Sequence, residues 1–431
     1  MPPRGVCSKL NRAVLEPRPL LRTRSYGLAS LGAIASAGAQ FLLSLQLLQA
    51  LDPAQFGSFA FLLVCSQLGL GIAVALLCAP YPTLLQRYAG DTSPVMASFF
   101  AVNLLLALAC ALLLGCFAFA LLSGGLEAVL FAGFAGLAVL RWFGRAHAYG
   151  RQQQNRVVFS DLSYGLALLG GIVLIQVLGA ASLLAACWAL LASAATGLLA
   201  LGSDFLRLQF GRVSLQALPA YRQVWEAHSR WSLLGVITTE GTANAHAYIV
   251  TLVAGASGFA PLAASALLIR PIALAMNALS DLERPHLARL LATGGARSAV
   301  LHALRFFRHA LLLVWGACLA LALGILLWQP RVLFPPDYGL PVLWTGAMLW
   351  FGIALLRSLR MPSSVLLQAA GEFRALALAS VASCAISIGT VALLVARGEL
   401  VTSLLGIALG EAVFALGIWV HAKRLLQRLA D

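Results

Sequence analysis

The sequence predicts an all-α polytopic membrane protein with about twelve transmembrane helices in two six-helix bundles. Composition is the first reason: 61% of the 431 residues are hydrophobic and 10% are charged, with a mean hydropathy of +0.90, whereas soluble domains carry roughly 25% charged residues. The second reason is the number of apolar runs that reach the ~20 residues of a spanning helix. This composition excludes soluble enzymes, nucleic-acid-binding proteins, disulfide-rich domains and disordered chains.

Twelve apolar runs lie between charged or Pro/Gly-rich breaks, and each run predicts one helix. The break at 179–182 is short and uncharged, but the apolar stretch around it is long enough for two crossings at about 1.5 Å per residue. The predicted helices span residues 27–50, 57–79, 96–121, 125–144, 157–178, 181–203, 231–254, 259–280, 307–328, 341–359, 374–396 and 400–420.

The distribution of positive charge predicts the topology. If the N-terminus is cytoplasmic, 26 of the 29 Lys and Arg residues fall in the terminal segments or in cytoplasmic connections, while the outer loops carry only Arg331 and Arg397. Because cytoplasmic loops are enriched in Lys and Arg, the formal charge of +14 indicates membrane orientation rather than nucleic-acid binding. We therefore expect both termini in the cytoplasm; a location in the bacterial inner membrane is what the resemblance given below implies. The cations counted as cytoplasmic include Arg141, Arg145, Arg357 and Arg360.

The spans and their connections predict five regions. Residues 1–26 form a basic cytoplasmic segment, 27–203 an N-lobe of helices 1–6, 204–230 a cytoplasmic linker, 231–420 a C-lobe of helices 7–12, and 421–431 a basic cytoplasmic tail. Six spans in each lobe give the two lobes the same orientation, an arrangement associated with rocking around a central site.

The outer loops favour a transporter over a membrane enzyme, because none of them is large enough to hold a catalytic domain. The chain also has no G-x-x-x-x-G-K-[ST] phosphate loop, and its eight cysteines show no CxxC or Cys/His ligand spacing. We therefore expect no catalytic residues, no metal and no cofactor.

Two charged residues stand near the middle of predicted spans. Glu240 lies nine residues into helix 7 and Arg270 lies eleven residues into helix 8, so both are roughly 15 Å deep. An ionisable residue at that depth costs at least ~2.5 kcal/mol and is a functional candidate by default. We expect the two side chains to meet; an ion pair that only holds the helices together is the alternative interpretation.

Polar residues accompany these charges at helical spacing. Asn244 follows Glu240 by four residues, Asn277 follows Arg270 by seven, and Gln40 lies on helix 1 with a serine four residues to either side. If helices 1, 7 and 8 line one cavity, that cavity is hydrophilic with an arginine at its centre. Glu411 in helix 12 is a further candidate for coupling, although its sequence context shows no partner.

Arginines also border the cytoplasmic ends of the first two helices. Arg24 and Arg87 are explained most simply as orientation signals at the headgroup surface. The functional alternative is an inner vestibule that gathers a diphosphate, because the guanidinium fork matches phosphate oxygens.

Two segments resemble the bacterial polysaccharide transport family, which includes O-antigen and exopolysaccharide flippases. Residues 48–59 (LQALDPAQFGSF) match its L-x-P-x-x-F-G hairpin, and residues 230–287 resemble its helices 7 and 8, with Ala-Gly at 254–255 and Arg-Pro at 270–271. The segment FGSFA at 56–60 has a weak counterpart in GFAPL at 258–262, which suggests an internal repeat.

The resemblance implies a V-shaped fold shared with multidrug and toxic compound extrusion (MATE) transporters and lipid II flippases. It places helices 1, 2, 7 and 8 around the cavity and gives Arg270 the role of contacting the diphosphate of an undecaprenyl-linked oligosaccharide. Arg24 and Arg87 are weaker vestibule candidates. Many relatives carry further cations in the cavity, whereas this sequence shows one.

The resulting expectation is a flippase that moves a lipid-linked oligosaccharide by alternating access for surface polysaccharide biosynthesis. Its partners would be that substrate, membrane lipids and, in the same pathway, a polysaccharide polymerase and glycosyltransferases. In the flippase, protonation of Glu240 would release Arg270 and couple proton entry to the change of state, with Glu411 as a further candidate for coupling. A cation-coupled antiporter for small amphipathic compounds is the alternative, and it would favour an acidic rather than an arginine-centred cavity. A membrane scaffold is the third reading, and it predicts tolerance to loss of both Glu240 and Arg270.

Overall fold

A computed structural model describes residues 19–85, 93–122, 125–211, 213–292 and 297–428. Long helices account for most of this chain. Proline at the first helical position, preceded by a capping side chain, begins two of them: Asp52 caps the helix that starts at Pro53, and Ser93 caps the one that starts at Pro94. The first six long helices are α1 (Pro19–Ala50), α2 (Pro53–Ala73), α3 (Pro94–Leu121), α4 (Gly125–Gly150), α5 (Gln154–Val177) and α6 (Leu183–Leu199).

The next helical segment, Arg230–Ala266, reverses direction at Gly255. This glycine has φ +73° and ψ 179°. These backbone angles do not occur within a helix, and residues other than glycine rarely adopt them. The rings of His246 and Phe259 lie 5.8 Å apart, whereas a straight helix would separate them by about 20 Å. We therefore name residues 230–254 α7 and residues 256–292 α8.

Four more long helices complete the described chain: α9 (Arg297–Trp328), α10 (Leu340–Ala369), α11 (Phe373–Ala396) and α12 (Leu404–Arg428). By length and hydropathy, nine described helices can cross a membrane, or ten when α6 is joined to the bent segment Ser203–Gly211. Residues 215–291 are one of these nine, although they contain both α7 and α8. The apolar part of α1, Ile34–Ala50, is too short to be included. The predicted all-α membrane fold in two bundles is confirmed.

Several helices extend beyond their predicted ends. Helix α4 continues from 144 to Gly150, α10 continues from 359 to Ala369, and α9 begins ten residues earlier than predicted, at Arg297. The hydropathy pattern places the end of a span close to its first arginines, whereas in α4 and α10 the helix continues beyond arginines that have acidic partners. Between α6 and α7, residues 203–229 form a series of short helical turns.

The helices pack in the same pattern in each half of the chain. In the first half α1 packs on α5, α5 on α6, α6 on α4, α4 on α3 and α3 on α2. Adding six to each number gives the pattern of the second half, in which α7 packs on α11, α11 on α12, α12 on α10, α10 on α9 and α9 on α8. The internal repeat is therefore much clearer in packing than in sequence.

The two bundles meet at the face predicted to be outside. The side chain of Gln49, at the end of α1, donates a hydrogen bond to the carbonyl of Val332 in the turn before α10. Phe334 and Tyr338 from that same connection are each 1% exposed and pack within an apolar core formed largely by the first bundle. The two bundles are therefore in contact at this face.

Helix α2 also contacts the second bundle along its whole length. At its outer end Gly57 lies against the backbone of Ala256, and Phe61 stacks edge-on against Tyr248 with ring centroids 6.1 Å apart. At its inner end a side chain at Gly71 would lie 3.0 Å from Val236 of α7. Just beyond α2, the hydroxyl of Tyr221 in the connection before α7 donates to the carbonyl of Leu76 at 2.6 Å. The segments FGSFA and GFAPL, which open α2 and α8, thus pack against each other.

Candidate functional site

Glu240 is a half-buried carboxylate in the middle of α7. One of its oxygens accepts a 2.7 Å hydrogen bond from the side-chain amide of Asn244, one turn later on the same helix. No ion pair joins Glu240 to any residue that the structure describes, and the cation whose charge acts on it is Arg357 of α10. Glu240 is therefore held by a neutral neighbour and faces one arginine.

A ladder of small hydroxyl side chains fixes α7 within its bundle. Thr238 bonds to Ser380 at 2.8 Å and Thr242 bonds to Ser383 at 3.1 Å. Ser387 donates to the backbone carbonyl of Thr242 at 3.0 Å. Such small polar contacts let membrane helices approach closely, and they set the direction in which Glu240 points.

Glu411 of α12 is bound by two arginines of α10. The Nε of Arg357 lies 2.7 Å from one carboxylate oxygen, and the Nη2 of Arg360 lies 3.1 Å from the other. Arg360 also lies over the ring of Phe414 at 4.2 Å. The sequence showed no partner for Glu411; both partners had been counted with a cytoplasmic connection, and the structure places them within the helix α10.

Arg270 does not pair with Glu240. The structure gives Arg270 no carboxylate and no hydrogen-bond acceptor within the described chain, and its surroundings only desolvate it. Equal depth was the basis for expecting the pair, but two residues at one depth can point to different sides of their helices. Arg270 is left as a half-buried cation without a counter-ion among the described residues.

The first bundle contains a similar cluster of two arginines and one acid. Asp161 of α5, whose side chain is 1% exposed, lies 2.5 Å from Arg141 and 2.9 Å from Arg145, both on α4. Arg141 also bonds to the hydroxyl of Ser160, which in turn donates to the carbonyl of Gly197 on α6. These contacts join three helices through one carboxylate.

Gln40 is connected to this cluster through Tyr164. Its amide donates to the hydroxyl of Tyr164 at 2.7 Å, and the guanidinium of Arg141 lies 4.4 Å from the centre of the same ring. Gln40 is thus a partner of the first bundle's interior rather than of Glu240. Asn277 is exposed on α8.

The two vestibule candidates cannot be placed in this arrangement. Arg24 lies in the first turns of α1, where side chains are outside the description, and Arg87 lies outside the described residues.

Sequence reasoning missed the two clusters because it treated their arginines as topology signals. Two signals were present. Arg141 and Arg145 are four residues apart and Arg357 and Arg360 are three apart, so each pair shares a helix face. Asp161 stands in an apolar run four residues into a predicted helix, where a lone carboxylate requires a cation.

The two clusters, together with Arg270 and Glu240, contain five arginines and three carboxylates. The arginines are Arg141, Arg145, Arg270, Arg357 and Arg360, and the carboxylates are Asp161, Glu240 and Glu411. Among these groups positive charge is in excess, and Glu240 is the acid that lacks an ion pair.

The fold is similar to that of solved MATE transporters. A multidrug resistance transporter of the MATE family and MOP superfamily, in its inward-facing conformation, gives a TM-score of 0.67 at 15% identity, with 91% of this chain and 95% of that chain covered. The eukaryotic MATE transporter AtDTX14 gives 0.63 at 16% identity, with 95% and 99% covered. An outward-facing MATE family transporter gives 0.60 at 16% identity, with 94% and 96% covered. No family model and no curated protein matches the sequence.

The chain therefore has the fold of MATE transporters of the MOP superfamily, with two helical bundles.

Proposed function

We propose that this protein exports small amphipathic compounds by alternating access, in exchange for a cation that binds at Glu240. The fold supports membrane transport by alternating access, since solved transporters of this fold are described in inward-facing and outward-facing conformations. Two of the similar structures are multidrug resistance transporters. The proposal is that this chain works on compounds of that broad class.

The observation that carries the proposal is the contrast between Glu240 and the other two acids. Asp161 and Glu411 are each bound by two arginines, so their charge is already balanced. Glu240 has only the amide of Asn244 as a hydrogen-bond partner among the described residues. A mid-membrane carboxylate without an ion pair gains most from binding a proton or a metal cation.

In the proposed cycle the cavity opens inward and takes up the substrate while Glu240 carries no cation. Rocking of the bundles separates the outer contacts of Gln49 and Tyr338 and opens the cavity outward. A proton or Na⁺ then binds Glu240 and favours the return. Glu411 is not assigned the coupling role, because its two arginines hold it.

Replacing Glu240 by glutamine is expected to reduce gradient-driven export by about tenfold or more, because coupling free energies between sites are typically ~1–3 kcal/mol. The measurement is efflux of ethidium from proteoliposomes with an imposed proton or Na⁺ gradient. Glu226→Gln is the matched control, since Glu226 lies exposed in the segment before α7 and pairs only with Arg222. Full gradient dependence in Glu240→Gln would rule out this role.

A second candidate is the flipping of a lipid-linked oligosaccharide, with Arg270 contacting the diphosphate. Two observations favour it: Arg270 has no counter-ion among the described residues, and arginines outnumber acids in the interior clusters. A half-buried arginine without an acid is suited to an anionic substrate. Glycosyltransferases and a polysaccharide polymerase would then be partners in the same pathway.

The second candidate predicts that loss of the gene makes undecaprenyl-linked oligosaccharide accumulate on the cytoplasmic face. Wild-type protein is expected to reverse this accumulation, whereas Arg270→Ala is expected to lose most of the rescue. Arg305→Ala, an exposed arginine near the start of α9, is expected to rescue like wild type. Absence of accumulation, with the surface glycan intact, would leave the antiporter as the function.

A further inference from the structure

Arg357 lies between carboxylates on two different helices. Its Nε is 2.7 Å from Glu411 of α12, and its charge also acts on Glu240 of α7. The Nη2 atom of the same guanidinium is buried and has no hydrogen-bond partner among the described residues. A buried donor without an acceptor is costly, so this end of Arg357 is available for a second carboxylate.

The helices that carry the two acids touch beside them. A side chain at Gly410, the residue before Glu411, would lie 3.2 Å from the Cγ2 of Thr242, which is two residues after Glu240. The hydroxyl of Ser383 joins both sides, because it bonds to Thr242 and donates to the carbonyl of Gly410. These contacts hold α7 and α12 together.

Helix α10 also packs beside this part of α7, because the rings of His246 on α7 and Trp350 on α10 lie 5.1 Å apart. Spans alternate in direction along the chain, so α7 and α10 are antiparallel. Glu240, six residues before His246, and Arg357, seven residues after Trp350, therefore lie at about the same level.

Arg360, the other partner of Glu411, is anchored elsewhere. It lies over Phe414 and donates to Ser364 at 3.1 Å, and only 8% of it is exposed. Glu411 therefore keeps one cation even if Arg357 turns away from it.

We infer that Arg357 is a shared counter-ion that positions Glu240: it is bound to Glu411 when Glu240 carries a cation, and it turns toward Glu240 when that cation leaves. The inference rests on the coupling role proposed for Glu240. The movement links α10 and α12 to the occupancy of α7, so that one bundle responds as a unit. The other titratable side chains around this part of α7 are thiol, phenol and imidazole groups: Cys65, His246, Tyr248 and Cys384.

Thermal unfolding of purified protein in detergent tests the shared contact without using transport. If Arg357 interacts with Glu240, the Tm loss of the double variant Glu240→Gln/Arg357→Gln is smaller than the sum of the two single losses. The matched cycle uses Arg360→Gln, which also removes one cation from Glu411. Its Tm losses with Glu240→Gln are expected to add. Additive losses with Arg357 and non-additive losses with Arg360 would overturn the inference.

Gradient-driven efflux by the same variants is the second measurement. Arg357→Gln is expected to lower gradient-driven efflux as far as Glu240→Gln does, and the double variant is expected to be no worse than either. Arg357→Lys, which keeps the charge, is expected to retain at least part of the coupling and serves if the glutamine variant does not fold. If Glu240→Gln transports normally while the Tm cycle is non-additive, the proposed coupling fails and the shared contact stands. If the Tm losses of Glu240→Gln and Arg357→Gln are additive while Glu240→Gln impairs transport, the coupling role of Glu240 stands and the shared contact is ruled out.

Discussion

Replacing Gly57 by valine is expected to hold the protein open at its outer face and to abolish transport. A Cβ atom at this position would lie 2.7 Å from the carbonyl carbon of Ala256 and closer still to its oxygen. It would also lie 3.2 Å from the Cβ of Ala260. The obstacle is backbone, which cannot rotate away as a flexible side chain can. Overpacking of this kind costs about 1–3 kcal/mol, or about 5- to 150-fold in the balance between two conformations.

The measurement is labelling of a cysteine at Tyr338 by a membrane-impermeant maleimide added outside. Tyr338 is 1% exposed where the two bundles meet, so Tyr338→Cys is expected to label slowly alone and about tenfold faster or more together with Gly57→Val. Gly170→Val is the control, because a Cβ at Gly170 meets nothing within 4 Å. Slow labelling and normal transport in the Gly57 variant would show that the contact does not have to open.

The second large effect is expected from Asp161→Asn. Arg141 and Arg145 share this carboxylate, and its side chain is 1% exposed. Removing one member of a buried ion pair typically costs ~3–5 kcal/mol, since the remaining charge stays buried without compensation. We expect a large fall in Tm, with cleavage by added protease concentrated in the first bundle.

Asp204→Asn is the matched control for this prediction. Asp204 also lies 2.8 Å from an arginine, Arg156, but its side chain is 67% exposed. The same substitution there is expected to leave the Tm close to that of wild type, because water solvates both partners. Equal losses in the two variants would contradict the structural role given to the buried cluster.

The number and order of the long helices followed from hydropathy because lipid imposes that pattern on each segment separately. A run of apolar residues is visible in the sequence whatever its neighbours are. The ends of α4 and α10 were not visible in this way, since Arg145 and Arg360 remain within helices only through acids supplied by α5 and α12. Those contacts are tertiary, and a single sequence does not contain them.

The sequence predicted how deep the site residues lie in their helices, but not the side of the helix on which each side chain lies. Glu240 and Asn244 were expected on one helix face, and the structure joins them at 2.7 Å. Glu240 and Arg270 were expected to meet because they share a level, yet the side to which each helix turns depends on packing. The hydroxyl ladder between α7 and α11 sets that direction, and its residues carry no signal beyond being small and polar.

The repeated packing of the two bundles implies a second seam, which the described conformation leaves nearly empty. Under the repeat, α2 corresponds to α8 and α7 corresponds to α1, so the long contact of α2 with α7 should have a twin between α1 and α8. The structure shows that twin only over a short stretch. The two seams are therefore unequal: α2 is in contact with the second bundle along its length, whereas α1 and α8 are in contact only over a short stretch. Under the proposed export function, an amphipathic compound that entered between α1 and α8 would keep its apolar end in lipid, and the two sides of the protein would then differ within the plane of the membrane.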